Sequence, residues 1–465
     1  MNASQAGVRD VVAIGCGPFN LGLAALASTV SELDLRVFDD RPELFWHRGL
    51  MFDDAELQLS FLADLVTLVE PAHPLSFLSY LRDAERLYAF YIREAFHPTR
   101  REYEAYLRWV AGKLPSVRFS HRVSRVTWDV RSEQFVVEVR RGDGSELEER
   151  ARHLVLGIGT EPWLPAALSG LPASHVLHSS DYLHRLADVR RACHVSVIGS
   201  GQSGAETALD LLRQNVSGGV AVSWLTRTRA FSPLDYTKLV LEMTTPDYVR
   251  YFHALPQATK DRLVAEQWQH YKGISSDTLR QIHALLYERE LLTELAPVEL
   301  RCGVSVEWAK LDGAGRVRLG CRDRDSQKAF EHQTELVVAA TGYRERRPAF
   351  LEPLEPLVRR DEQGRYQVRL DHSIELDPAV CGRLFVANAD LHSHGVAAPD
   401  LGICAYRNAT ILNTVAGREL YRLPQKTAFT SFAPPVPARP GPAVRPPPAA
   451  TDRLDSLELA SAGES

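Results

Sequence analysis

Two short glycine-bearing segments are where this sequence can do chemistry. Val11-Val12-Ala13-Ile14 runs directly into Gly15-Cys16-Gly17-Pro18-Phe19-Asn20-Leu21-Gly22. Further on, His194-Val195-Ser196-Val197-Ile198 runs into Gly199-Ser200-Gly201-Gln202-Ser203-Gly204, the plainer GxGxxG. In the first loop Gly15 permits a tight turn, Gly17 lets the backbone approach a pyrophosphate, and Gly22 relieves close packing further along the helix. The amides at the start of that helix offer hydrogen bonds and a favourable dipole to phosphate charge. Two such loops point to two dinucleotides, with electrons passed from one to the other.

The residues beyond each loop separate the two ligands. Asp39 closes the strand after the first loop, where a carboxylate can accept from a ribose hydroxyl. After the second loop the corresponding strand ends in Thr226-Arg227-Thr228-Arg229, with no acid. Arginine there favours a 2′-phosphate and so NADPH over NADH; the other reading is two solvated surface arginines. No CxxC lies near either loop, and neither G-x-S-x-G nor H-E-x-x-H occurs. The reaction is therefore left to the cofactors: NADPH reduces a flavin, which passes electrons on or activates oxygen.

The elements that must hold these loops are legible in outline. Val11–Ile14, a helix over Asn20–Ser28 and a strand over Leu33–Phe38 make one β-α-β unit. Residues 117–160 read as strands, and a helix covers Arg101–Leu114 with Tyr103, Tyr106, Leu107 and Val110 on one face. The expected class is α/β, with two Rossmann-like dinucleotide-binding domains and a small, mainly helical lobe, which the family resemblance given below implies is a substrate domain. The boundaries read as 8–170 for the first part of one dinucleotide domain and 171–334 for the other, which the resemblance below implies are the FAD and NADPH domains. A helical lobe spans 237–292 within the latter. Residues 335–432, beginning with the apolar run Glu335–Ala340, return to the first domain. The proline-rich tail, 433–465, has no periodicity and is expected to be disordered.

Composition narrows the class further. A chain of 465 residues exceeds one ordinary core, and 45% hydrophobic with 24% charged residues fits a soluble globular protein. A net charge of -5 gives no basis for a nucleic-acid partner. The 16 histidines include no metal-ligand cluster at short spacing, so no metal is expected. Six scattered cysteines read as free thiols in a reducing compartment. No signal peptide and no run of about 18 apolar residues is present, so a cytoplasmic protein without a membrane span is expected.

Taken together, longer stretches of the chain resemble the microbial flavin-dependent N-hydroxylating monooxygenases of siderophore biosynthesis, which act on lysine, ornithine or aliphatic diamines. The likeness runs from Val11 to about Phe432. Besides the two loops it includes Trp46-His47, Leu57-Gln58-Leu59-Ser60-Phe61-Leu62, Asp64-Leu65-Val66-Thr67, Tyr271-Lys272-Gly273-Ile274-Ser275, Ala340-Thr341-Gly342-Tyr343 and His392-Ser393-His394-Gly395. The resemblance implies FAD held by Gly15, Gly17, Pro18, Asn20, Gly22, Asp39, Trp46, His47 and Gln58. It implies NADPH held by Gly199, Gly201, Gln202, Ser203, Gly204, Arg227 and Arg229. Gln58 matches the family glutamine beside the flavin, and Trp46, His47 and Met51 match the stretch lining the isoalloxazine. Gln58 and His47 are thus the catalytic candidates, although His47 by itself reads as a structural hydrogen-bonding histidine.

The resemblance also implies an order of events. NADPH reduces FAD, oxygen adds at the flavin C4a to give a hydroperoxide, and the terminal amine of the substrate attacks the distal oxygen. That requires a dry pocket and an uncharged amine, whose pKa desolvation lowers. Ornithine-specific members carry a lysine immediately before the Asp-Leu-Val/Ala-Thr segment, where it reads the substrate carboxylate; here the position is Ala63. A methyl group makes no ion pair, so ornithine is disfavoured. A diamine, putrescine or cadaverine, needs no such cation and is the expected substrate, with Ala63, Tyr271 and Lys272 in its pocket. Lysine is the alternative within the family, and a flavin NADPH oxidoreductase that inserts no oxygen is the alternative outside it. The implied partners are the amine, molecular oxygen and further copies of the chain, up to a tetramer.

Overall fold

Val11, Val12 and Ala13 are almost wholly buried, and a short run with no polar side chain for water belongs inside a sheet. In the computed structural model that run is β1 (Arg9–Ile14), which lies parallel to β2 (Leu35–Phe38) and β6 (Glu146–Leu156). The seven-stranded sheet is ordered β3 (Val117–Arg118), β2, β1, β6, β5 (Gln134–Arg141), β4 (His121–Asp129). From β4 to β6 the strands form an antiparallel meander. The structure describes residues 7–216, 219–292 and 295–434. The tail expected to be disordered lies, from residue 435 on, outside the described residues.

The helix after β1 runs Pro18–Ala27, with Pro18 at its first turn, where a missing N–H costs nothing. It is buried from Asn20 to Ala27 and packs against the Cys404–Ala416 helix. Gly22 sits at that contact: a Cβ there would lie 2.8 Å from Asn408 Nδ2 and 3.1 Å from Cys404 Sγ.

The chain then crosses through β7 (Thr160–Pro162) into a second sheet that is parallel throughout. Its strands are β8 (Val176–His178), β9 (His194–Ile198), β10 (Ala221–Leu225), β11 (Val298–Arg301) and a late strand, in the order β11-β10-β9-late strand-β8. A three-stranded antiparallel sheet, β12 (Val304–Leu311), β13 (Val317–Asp323) and β14 (Ala329–Thr334), packs its Val317, Leu319 and Cys321 onto Leu225, Val337 and Ala339.

The late strand is β15 (Leu336–Ala339), and it corrects the expected return at Glu335. It pairs with β9 and β8, not with the first sheet. An apolar run of this kind satisfies any parallel sheet equally, so its composition does not say which one it joins. The return is made afterwards. β16 (Tyr343–Glu345) pairs antiparallel with β7, and β17 (Arg383–Val386) joins β6 in the first sheet.

Between β10 and β11 the chain is helical, with helices at Pro246–His253, Gln257–Glu266, Gln269–Lys272 and Ser276–Arg289. Ser275 caps the last of these by accepting from the Thr278 amide. Among the described residues no helix is long and apolar enough to cross a membrane.

Candidate active site

A cleft of about 1480 Å³ takes in the first glycine loop, the start of the Gln202–Val216 helix and the helical segment at Tyr271. That exceeds the roughly 300–1,000 Å³ of an ordinary small-molecule site and suits more than one extended ligand.

The first loop is shaped by contacts that only glycine tolerates. Gly15 has φ +89°, and a Cβ there would stand 2.5 Å from the Gly157 carbonyl oxygen. Asn20, buried at 1% exposure, donates from Nδ2 to the Ile14 and Gly15 carbonyls at 3.1 and 2.8 Å and so locks the turn. Gly17 differs: its φ is -86° and nothing lies within 4 Å of where a Cβ would be. As the N-cap it leaves the first helical amides without a side-chain partner, an arrangement that fits a phosphate group.

Asp39, the acid expected at the ribose, is also held within the protein. Its Oδ2 accepts from the Cys16 amide at 2.6 Å, and Arg41 donates to both of its oxygens from Nε and Nη2 at 2.8 and 2.9 Å. Arg41 also reaches the Cys16 and Phe45 carbonyls. Asp39 thus ties the glycine loop to Arg41, a residue that nothing in the local sequence pattern singles out.

Trp46, His47 and Gln58 all line the cleft. His47 adopts a left-handed conformation, φ 49°, uncommon outside glycine and frequent at functional sites. It is solvent-accessible on the cleft wall, where desolvation and the charges of Arg100 and Arg41 push its pKa below the usual histidine range; it is neutral at pH 7. Gln58 presents a buried Nε2 with no hydrogen-bond partner in the chain. A buried donor left without an acceptor is costly, so this amide fits a ligand rich in acceptors, as a flavin ring is.

The second loop is built on the same logic. Gly199 has φ +128° and abuts the Ala340 carbonyl, while Trp224 Nε1 donates to the Gly199 carbonyl at 2.7 Å. A Cβ on Gly204 would meet the Gly199 oxygen at 2.5 Å, whereas one on Gly201 would have only the Lys272 carbonyl, at 3.6 Å. Gln202 and Ser203 reach the cleft wall. Gln202 also binds outward: its Oε1 accepts from the Ser275 amide at 2.7 Å, and its Nε2 donates to Glu206 and Thr278. Glu206 in turn holds Arg100 in two hydrogen bonds of 2.6 and 2.9 Å, joining this helix to the one at Arg100–Lys113.

The two arginines after β10 differ in circumstance. Arg229 pairs with Asp325 at 3.1 Å in full exposure, while the Arg227 guanidinium has no partner among the described residues. Lys272 lies near Arg227, not on the cleft wall where it was expected. Burial and the Arg227 charge lower its pKa, and its ammonium rests over the Tyr271 ring. Tyr271 itself does line the cleft, its hydroxyl donating to the Val264 carbonyl at 3.1 Å.

Ala63 also lies off the wall. Its amide donates to the Ser60 carbonyl in a turn that Asp64 then fixes, accepting from the Val66, Thr67 and Phe77 amides and the Thr67 hydroxyl. Asp64 is thereby a turn-forming residue.

A second cluster lies beneath the first loop. His372 Nδ1 is 2.8 Å from Asp390 Oδ2, His394 lies 3.5 Å from the same oxygen, and Arg407 lies 3.8 Å from Oδ1. Burial would raise the Asp390 pKa, but Arg407, His394 and His372 together hold it well below the carboxylate range. Arg407 is fully buried, donates to the Ala398 carbonyl at 2.6 Å and stacks over Phe19 of the first loop. The two histidines and the aspartate are close enough to share a metal ion, yet the guanidinium already supplies the counter-charge to Asp390.

Comparison with known proteins adds four findings. Residues 7–345 match the family described as L-lysine 6-monooxygenase/L-ornithine 5-monooxygenase. A putrescine N-hydroxylase from Shewanella oneidensis is 37% identical over 429 residues, 92% of this chain and 84% of that protein. Among solved structures, the FAD-bound cadaverine monooxygenase of desferrioxamine biosynthesis from Erwinia amylovora superimposes with a TM-score of 0.89 at 38% identity. It covers 92% of this chain and 99% of its own. An ornithine N-hydroxylase from Kutzneria sp. 744, with reduced FAD, NADP⁺ and L-ornithine, gives 0.81 at 27% identity over 88% of this chain and 99% of its own.

Proposed function

Because this chain belongs to the L-lysine 6-monooxygenase/L-ornithine 5-monooxygenase family, we propose that it N-hydroxylates one terminal amine of an aliphatic diamine, putrescine or cadaverine, for hydroxamate siderophore synthesis. It is a flavin-dependent N-hydroxylating monooxygenase that uses FAD and NADPH. The observation that carries the substrate reading is the gap in likeness: 38% identity to a cadaverine enzyme against 27% to an ornithine enzyme, over similar spans. Ala63 supports it: it lies off the cleft wall and has no side-chain cation that could reach in to read an amino-acid carboxylate.

When bound, FAD reduced by NADPH supplies the activation of dioxygen that an amine needs for oxidation. The chain's own residues arrange the rest. Gly15, Gly17 and the free amides after Pro18 would seat the FAD pyrophosphate, and the buried Gln58 Nε2 would donate to the flavin ring. The Gly199 loop and Arg227 would seat NADPH, with Gln202 holding that loop to the helical lobe through Ser275. Neutral His47 adds no positive charge to repel a cationic substrate. Oligomerisation belongs to the same proposal. Tyr88, Tyr91 and Ile92 are 73–83% exposed on the Leu87–Arg93 helix, apolar surface of the sort a subunit contact covers. Light scattering of the purified protein measures the mass directly.

The deciding experiment is an amine panel scored by hydroxylamine formation, because NADPH oxidation alone also registers uncoupled peroxide. Putrescine or cadaverine is expected to give product well above L-lysine and L-ornithine. Efficient lysine turnover with silent diamines assigns the enzyme to the lysine branch, and NADPH oxidation with no hydroxylated amine of any kind leaves a non-oxygenating oxidoreductase. For the nicotinamide partner, Arg227→Ala is expected to raise KM for NADPH about tenfold, one charge-assisted contact, while leaving NADH unchanged. Equal loss on both coenzymes would remove Arg227 from the 2′-phosphate.

A further inference from the structure

Most carboxylates on the cleft wall are either committed or fully exposed, and Asp400 is neither. Asp39 is held by Cys16 and Arg41, Glu56 pairs with Arg93 and Glu161 with Arg344. Asp40 and Asp181 stand in open solvent. Asp400 is recessed between Pro399 and Leu401, just before the short turn Leu401–Ile403 that leads into the Cys404–Ala416 helix. Its Oδ1 accepts from the Gly402 amide at 2.6 Å, which accounts for half of the group as a turn cap. Its Oδ2 has no hydrogen-bond partner among the described residues.

The charges around it leave that oxygen wanting a cation. Burial pushes the Asp400 pKa up to about 6, against the opposing pull of the Gly402 amide and Arg407. Arg407 makes no hydrogen bond to it: its Nη2 donates to the Ala398 carbonyl and lies 3.8 Å from Asp390 Oδ1. Tyr236, also on the wall, is close enough for its phenol to be raised by burial and by the Asp400 charge. At neutral pH Asp400 is thus an anion in a partly dry wall, with a phenol beside it and no protein counter-ion bonded to Oδ2.

We propose that Asp400 binds the distal ammonium of the diamine, the end that is not oxidised. This rests on the diamine reading above and gives it a residue. A diamine presents two like ends, one of which must be neutral to react while the other stays charged. A carboxylate at a fixed place on the wall holds the charged end and leaves the neutral end to the reaction. The far end of lysine or ornithine carries a carboxylate beside its ammonium and presents no net positive charge, so one group favours the diamine over the amino acids.

The test uses the full-length, FAD-loaded enzyme with putrescine, cadaverine and a monoamine of equal length, n-butylamine, which lacks the distal charge. Asp400→Asn is expected to raise KM for the diamines about 10- to 100-fold, the worth of one charged hydrogen bond, and to leave n-butylamine turnover unchanged. Asp400→Glu should recover part of the loss. Calorimetric titration of putrescine into the oxidised enzyme with NADP⁺ should show the same weakening without turnover, and flavin content should stay constant. If wild-type enzyme acts on diamines but Asp400→Asn loses diamine and monoamine equally, or neither, the anchor is wrong and the substrate reading survives. If wild-type enzyme ignores diamines, both fall. A loss of flavin in Asp400→Asn with unchanged diamine KM assigns the residue to the cofactor instead.

Discussion

An Asp390→Ala enzyme is expected to lose about 3–5 kcal/mol of folding stability, because it strands a buried charge. Asp390 and Arg407 are both fully buried, and His372 loses its hydrogen-bond partner along with them. Asp390→Asn, which keeps the shape and drops the charge, should fall between the two. Urea unfolding at a shared m-value measures each step; a loss under about 1 kcal/mol in the alanine variant would show that Arg407 is satisfied without the carboxylate. Acid should act on the same cluster in two stages. His372 and His394 are buried and held below the usual histidine range, so the unfolded chain binds protons that the fold does not. Their contribution is complete above about pH 6.5 and is lost as the pH falls below it. Asp390, held below the carboxylate range, stabilises fully above about pH 4 and loses that contribution only in stronger acid.

The second large effect contrasts two glycines of one loop. Gly15→Ala combines a left-handed φ with a Cβ 2.5 Å from the Gly157 oxygen, so the loop must move. It is expected to lose about 1–3 kcal/mol of stability and at least tenfold in flavin retention. Gly17→Ala has an ordinary φ and no protein atom within 4 Å of the new methyl. It should fold as the wild type does and yet retain less flavin, because the methyl occupies the approach of the pyrophosphate. Flavin absorbance of purified protein and thermal midpoint separate the two variants. Full flavin in Gly17→Ala would mean that the pyrophosphate does not pass there.

That contrast also shows why the loops were legible in the sequence. A glycine requirement is local: it follows from a turn and a close approach within a few residues, and the spacing writes it down. Asp39 was visible as the acid closing a strand, but its commitment to Cys16 and Arg41 depends on how the chain folds back over itself. Ala63 and Lys272 were placed by motif, and the motif says nothing of where the fold sends the side chain. β15 could not be assigned to a sheet because a parallel strand buried on both faces reads the same in either. Of the Asp390 cluster only His394 fell in a stretch the sequence singles out; Asp390, His372, Arg407 and Asp400 lay outside any pattern. They draw on His372 at one point of the chain and Arg407 at another, and only the fold brings them together.

The strands β7 and β16 carry a mechanical consequence. The chain leaves the first sheet through Thr160–Pro162 and comes back from the second through Tyr343–Glu345, and these crossings are hydrogen-bonded to each other in antiparallel register. Two independent tethers would let the nicotinamide-binding half twist and slide over the flavin-binding half. A zipped pair behaves as a single flat strap that bends across its face and resists shear along its length. Together with the Arg100–Glu206 pair, which also joins the two halves, this strap restricts shear more than bending, and Tyr343 sits both on the strap and on the cleft wall.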